Sequence, residues 1–149
     1  MPIEYIKGDI LENLPDYPII ICQVVNSERK MGRGFALALM TKWPIVREEY
    51  IKSECRLGTC GFISVSTTTI VVNMVAQHGL KSVNNKRPLK YHHLAGCMDR
   101  VGSVAKAGKK EIFTVKFGSD LAGGRWEFIE ELIQDIWLDN GLKVTIFHF

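Results

Sequence analysis

Apolar residues along this chain fall into short continuous runs that alternate with stretches where they recur every three or four positions. Residues 3–6 read as a short strand closing on Lys7-Gly8-Asp9-Ile10. Residues 18–25 open on Pro18 and run nearly all apolar up to Asn26, as expected of a central strand buried on both faces. A polar loop, residues 26–34, follows and ends on two glycines. Phe35, Leu39, Met40 and Trp43 then share one helical face until Pro44 interrupts it, and residues 46–53 form a second helical piece. Residues 61–65 and 69–75 are rich in β-branched side chains and predict a hairpin. Residues 77–87 read as a loop. Pro88 is expected to open the next helix, with Tyr91, Leu94, Met98 and Val101 on its buried stripe. Residues 111–116 predict a strand, and 117–124 a second glycine-rich loop. Trp126, Ile129, Leu132, Ile133 and Ile136 line a strongly amphipathic helix, which Asn140-Gly141 is expected to end. Residues 142–148 alternate as a last strand.

Strands alternating with helices imply an α/β fold, a three-layer α/β/α sandwich around a mixed, mostly parallel sheet. Length sets the scale of this picture: 149 residues suit one core, so a single domain over 1–149 is expected. The chain shows no repeat, low-complexity tract or linker.

Composition changes the picture little. The net charge is +3, from 19 basic and 16 acidic residues, a weak lean toward anionic ligands. It speaks against a nucleic-acid protein, which concentrates basic residues on one face. The apolar run at Ile19-Ile20-Ile21 is far shorter than the roughly 20 residues of a membrane span and lacks the flanks of a leader, so no membrane partner and a cytoplasmic location are expected. Cys22, Cys55, Cys60 and Cys97 are scattered and form no CxxC pair. Reduced thiols are expected, with no zinc site or disulfide framework.

The two glycine-containing loops carry the chemistry. Each follows a strand and leads into a helix, the place where α/β sheets bind ligands. Helix N-termini there offer free N–H groups and partial positive charge, which suit phosphate, and glycine lets an anion approach the backbone. Neither loop has a Walker lysine or the Rossmann glycine spacing. The pair therefore suggests a cleft for a phosphate-bearing ligand other than a nucleoside triphosphate. His78 is the one histidine near that cleft. It is a candidate general acid or base, beside the plainer reading of a structural hydrogen bond.

Four blocks of sequence resemble a known family. KGDI (7–10), VVNSERKMGRGFA (24–36), NMVAQHG (73–79) with RPLKY (87–91), and FGSDLAGGRW (117–126) occur in the order found in macrodomains. The resemblance covers essentially the whole chain. It points to short macrodomains related to terminal ADP-ribose protein glycohydrolase and ADP-ribose-1″-phosphate phosphatase. It implies that Asp9 accepts from the adenine amino group, with the Ile10 backbone beside it. It implies that Asn26 faces the distal ribose, wrapped by Met31, Gly32 and Gly34. Gly118, Ser119, Leu121, Ala122, Gly123 and Gly124 would cradle the pyrophosphate, and Phe149 would lie near the adenine. Read without the resemblance, Asp9 caps a turn, Asn26 makes an Asx-turn and Phe149 is a strand-end contact.

Two departures bear on catalysis. Gln77 stands where the glycohydrolase has a nucleophilic lysine, and Ala122 where it has an aspartate. Gln cannot form the covalent adduct an amine forms, so a lysine-dependent mechanism is not expected. Asp120 stands where relatives have glycine. It is either an affinity penalty or, with His78, a catalytic group.

The resemblance thus implies binding of ADP-ribose, or of an ADP-ribosylated small molecule or protein, with hydrolysis of a 1″-linked group. A non-catalytic binding module is the alternative, and a single-stranded nucleic-acid binder a weaker one. The protein is expected to act as a monomer without cofactor or metal.

Overall fold

The computed structural model describes residues 2–149. Its main elements are β1 (Glu4–Lys7), β2 (Ile19–Asn26), α1 (Gly34–Lys42), α2 (Ile45–Lys52), β3 (Cys60–Ser64), β4 (Thr69–Gln77), α3 (Tyr91–Gly108), β5 (Glu111–Val115), α4 (Trp126–Ile136) and β6 (Val144–His148). The strands form one sheet in the order β1-β6-β5-β2-β4-β3. Every neighbouring pair is parallel except β3, which runs antiparallel to β4 at the edge. This is the mixed, mostly parallel sheet that the alternation of periods predicted.

The continuous apolar run of β2 exists because both faces of the strand are covered. Successive strand residues point to opposite faces. Ile20 and Cys22 join the core that α3 and α4 build with Leu94, Met98, Ile129 and Ile133. Ile19 and Ile21 join the opposite core with Leu39 of α1 and Val46 of α2. All four β2 side chains are fully buried. Each of the three isoleucines contributes about 1.5–3 kcal/mol relative to exposure.

The structure departs from the sequence expectation in three places. Pro88 does not open a helix. Residues 88–90 are extended: His78 N–H donates to Pro88 O (2.9 Å), Leu89 N–H to Ala122 O (3.0 Å) and Lys90 N–H to Ala76 O (2.9 Å). These bonds tie the segment between the end of β4 and the second glycine loop, so α3 starts only at Tyr91. Asn140-Gly141 does not end α4 either. A separate 3-10 turn, Leu138–Asn140, intervenes, and Gly141 (φ 82°) caps that turn. The buried Trp137 holds the junction by donating from Nε1 to Met98 O (2.8 Å). Finally, Lys116 lies outside β5, and β6 begins at Val144 rather than Leu142.

Because β1, β2, β4, β5 and β6 are mutually parallel, their carboxyl ends share one edge of the sheet. The residues after them meet there: Gly8-Asp9, the 27–33 loop, Gln77-His78, the 117–125 loop and Phe149. No helix is long and apolar enough to cross a membrane among the described residues.

Candidate functional site

The first loop is organised around Asn26, the last residue of β2, which is 5% exposed. Its Oδ1 accepts from Glu28 N (3.0 Å), Lys30 N (3.1 Å) and the Tyr50 hydroxyl (3.0 Å), and its Nδ2 donates to Lys30 O (2.6 Å). Asn26 therefore acts as the internal peg of an Asx-type turn, and its carbonyl-side oxygen is fully occupied. Arg29, in the left-handed region (φ 60°), anchors the loop from outside through Nε and Nη2 to Ser53 O. Past the peg, Met31 is half-buried against the cores around α1 and Tyr50. Gly32 and Gly34 are exposed, and a Cβ built at either would meet no atom within 4 Å. The amides of Gly32, Arg33 and Gly34 find no acceptor among the described residues. They form the entry to α1.

The second loop is tighter. Gly118 (φ 75°) is buried after Phe117, two residues past β5, and Gly124 N–H donates back to Gly118 O (2.9 Å). A Cβ on Gly124 would stand 2.3 Å from that oxygen, and one on Gly123 (φ 84°) 2.9 Å from Lys86 O. These glycines are therefore required by close backbone approach inside the protein, whatever ligand binds. Between them, Asp120–Ala122 form a 3-10 turn. Ala122 is buried, while Leu121 is 58% exposed. The amides of Ser119, Asp120 and Leu121 have no acceptor among the described residues. Asp120 is in the left-handed region (φ 56°) beside an extended Ser119. Consecutive outward amides next to a left-handed residue suit an anion.

The remaining predicted residues fall around these loops. Asp9 caps the 3-10 turn Ile10–Glu12, accepting from Leu11 N–H at 2.9 Å through Oδ1, and Ile10 is buried. Half-buried, Asp9 keeps its second carboxylate oxygen free of any hydrogen bond to the described residues. Phe149 is 92% exposed, so it is no core contact in the ligand-free protein. The Gln77 amide donates to Gly79 O (3.0 Å). His78 is tied by its backbone, donating to Pro88 O and accepting from Asn85 Nδ2 (2.8 Å), and its exposed ring has no partner among the described residues. Asp120 is exposed and likewise makes no ion pair among the described residues, with Arg125 or any other cation. Among the same residues no group of three or more His, Cys, Asp or Glu is placed to hold a metal ion.

Tyr50 escaped the sequence reading. From α2 its buried hydroxyl donates to Asn26 O (2.6 Å) as well as sitting 3.0 Å from Oδ1, which locks the first loop to the helix. Burial and the neighbouring Cys55 push that hydroxyl above its ordinary pKa, so it stays a donor. Val46 and Tyr50, four apart on one helical face, were the available signal. A concavity of about 250 Å³ lies behind this contact, lined by Tyr50, Cys55, Arg56, Phe62 and Asn73 among others, and holds none of the predicted cleft residues.

No family model and no curated protein matches the chain. Solved structures match it over its full length. A protein of unknown function from Bacteroides thetaiotaomicron is 31% identical with a TM-score of 0.92, covering 100% of this chain and 99% of that one. A macrodomain protein from Streptomyces coelicolor is 28% identical with a TM-score of 0.84, covering 99% of both chains. Thermosipho africanus DarTG in complex with ADP-ribose shares the fold, at 14% identity and a TM-score of 0.73, covering 97% of this chain and 41% of that one. The sheet order and the cores on its two faces define a three-layer α/β/α domain with two glycine-containing loops at its carboxyl edge. Set beside these structures, the chain has the macrodomain fold from end to end.

Proposed function

We propose that the strand-end cleft binds ADP-ribose or a derivative carrying it. The observation that supports this most directly is the pair of loops after β2 and β5, adjacent strands at the centre of the sheet. Each leaves a run of amides without an acceptor among the described residues, and the first adds two glycines opening onto free space. A pyrophosphate needs donors spaced along its length, and helix entries supply them with favourable partial charge. Asp9, with one carboxylate oxygen unengaged, is the candidate acceptor for the adenine amino group. Phe149 is the candidate stacking surface. The ADP-ribose held by the DarTG protein of the same fold supports the choice of ligand. Isothermal titration with ADP-ribose tests the reading.

Hydrolysis of a 1″-linked group is the second reading. It draws support from His78 and Asp120, whose exposed side chains stand unengaged after β4 and in the second glycine loop. Neither has an orienting partner among the described residues, and an effective general base is held in place by one. The geometry thus favours binding over turnover. Release of phosphate from ADP-ribose-1″-phosphate separates the two. Borohydride trapping during any turnover should give no lysine adduct, since Gln77 stands at the nucleophile position. A trapped lysine would overturn the alignment of that block.

Asp120 yields a third expectation. A carboxylate roughly 6 Å from a phosphate costs about 1–3 kcal/mol, depending on how far water screens the pair. Asp120→Gly removes that repulsion and also the left-handed strain of a residue with a Cβ, about 1 kcal/mol. The variant should bind ADP-ribose roughly 5-fold tighter by calorimetry, about 1 kcal/mol. The gain should shrink at high salt. Weaker binding together with lost phosphate release would instead make Asp120 a catalytic residue.

A further inference from the structure

Cys60 and Cys97 lie against each other where the edge strand β3 packs on α3, outside the two glycine loops. Cys60 Sγ is 3.6 Å from the carbonyl oxygen of Cys97, and Cys97 Sγ is 3.5 Å from the carbonyl oxygen of Thr59. Each sulfur rests on the backbone of the opposing segment. One rotatable bond separates a cysteine sulfur from its backbone. A reciprocal contact of this kind sets the two cysteines side by side across the β3–α3 contact, the arrangement from which a rotamer change can turn the two sulfurs toward each other. Both cysteines are free in this structure.

The two thiols are not equivalent. Cys97 is fully buried in the core beneath α3, while Cys60 is half-buried at the sheet edge. The neighbouring Cys97 thiol lowers the Cys60 thiol below its ordinary value; burial opposes this, and the nearby positive charge of Arg100 adds to the lowering, so that Cys60 ionises more readily than an ordinary thiol. Cys97 is pushed in the opposite direction by its Cys60 neighbour and by burial. The chain's other thiols are placed differently. Cys22 is buried in the central strand, which pushes its thiol up to about 12. Cys55 is buried with its sulfur held by Ser53 Oγ and Tyr50 O. Reactive cysteines combine thiolate character with access, and only Cys60 has both.

We propose that Cys60 and Cys97 form a redox pair, in which a hydroperoxide oxidises Cys60 and Cys97 resolves it to an intramolecular disulfide. The Cys60 thiolate attacks the terminal peroxide oxygen. A sulfur–oxygen bond forms, the O–O bond breaks, and the alkoxide leaves as the alcohol after taking a proton. Cys97 sulfur then attacks the sulfenic sulfur. The S–S bond forms, and the departing hydroxide takes the Cys97 proton and leaves as water. Two thiols lose two electrons, and one hydroperoxide is reduced. The crosslink joins β3 to α3 and closes a loop that contains all of β4, so it restrains the stretch that carries Gln77 and residues 88–90 to the cleft.

Titrating the native protein with hydrogen peroxide and mapping peptides without reduction tests the pair. One equivalent should produce a Cys60–Cys97 crosslinked peptide that dithiothreitol releases. Brief maleimide treatment of the unaltered protein should label Cys60 ahead of Cys22, Cys55 and Cys97, a result that needs no variant to fold. In Cys97→Ser, Cys60 should stop at sulfenic acid, trapped by dimedone. In Cys60→Ser, Cys97 should remain a thiol. A wild-type protein whose Cys60 passes to sulfinic acid without the crosslink, or whose first thiol to react is another cysteine, overturns the proposal.

Discussion

ADP-ribose at about 100 times its dissociation constant raises the melting temperature by roughly 5–10 °C, and Gly32→Glu removes the rise. Linkage sets the size: a ligand at that excess contributes about 2.7 kcal/mol, and a domain of this length shifts roughly 2–4 °C per kcal/mol. Gly32 is the position at which the test is clean. It is exposed, its backbone avoids the left-handed region, and an added Cβ meets nothing within 4 Å. A glutamate there meets no clash, so without ADP-ribose the stability of the variant should stay within about 0.5 kcal/mol of the wild type. In the complex it would fill the phosphate space and set a carboxylate against the pyrophosphate. Gly123 offers no such test, because a side chain there strikes Lys86 O and the variant would lose its fold along with its ligand. Differential scanning fluorimetry and calorimetry on both proteins read the outcome. No shift and no heat at millimolar ADP-ribose would sink the proposed ligand. A shift that survives Gly32→Glu would leave the ligand and remove the first loop from its site.

The contrast between Gly32 and Gly123 shows what the sequence could and could not convey. Both glycines sit in loops that follow strands, and composition treats them alike. An added Cβ meets nothing within 4 Å at Gly32 and the backbone of residues 86 and 87 at Gly123, and only the folded structure distinguishes the two. The parallel sheet was legible because period and run length report burial directly: β2 is continuous where both faces are covered, and α4 is striped where one is. Pro88 misled for a physical reason. Its fixed φ suits a helix start and an extended bridge equally, and hydrogen bonds to Ala76 and Ala122, distant in sequence, decide for the bridge. Tyr50 was hidden in the same way. A buried tyrosine announces a partner for its hydroxyl but not its identity, and here the partner lies 24 positions earlier in the chain. Asp9 shows the remaining ambiguity. It does cap a turn, and one oxygen is left over, so the structural and the ligand-facing readings are compatible at that residue.

Asn26→Leu should cost about 2–4 kcal/mol of stability and weaken ADP-ribose binding by more than tenfold. Leucine keeps the volume of the side chain and deletes its polar atoms. Glu28 N–H and Lys30 N–H, both part-buried, then lose their acceptor, and each costs about 1–2 kcal/mol, the lower part of the range for a buried unpaired donor. Tyr50 keeps Asn26 O, so its hydroxyl is not orphaned. The affinity falls because the amides of residues 32–34 are displayed only while the turn before them is held, and ordering that turn would have to accompany binding. Tyr50→Phe is the graded companion. It leaves both amide bonds to Oδ1 intact, removes the brace from α2, and should lower stability by about 1 kcal/mol with a smaller loss of affinity. Urea unfolding and calorimetry on the two variants distinguish two roles for Asn26. If stability and affinity fall together across both variants, Asn26 works as the peg that shapes the loop. If Asn26→Leu loses affinity while its unfolding midpoint stays at the wild-type value, the side chain turns out of the loop to meet the distal ribose, and the hydrogen bonds to Glu28 and Lys30 are not what holds the turn.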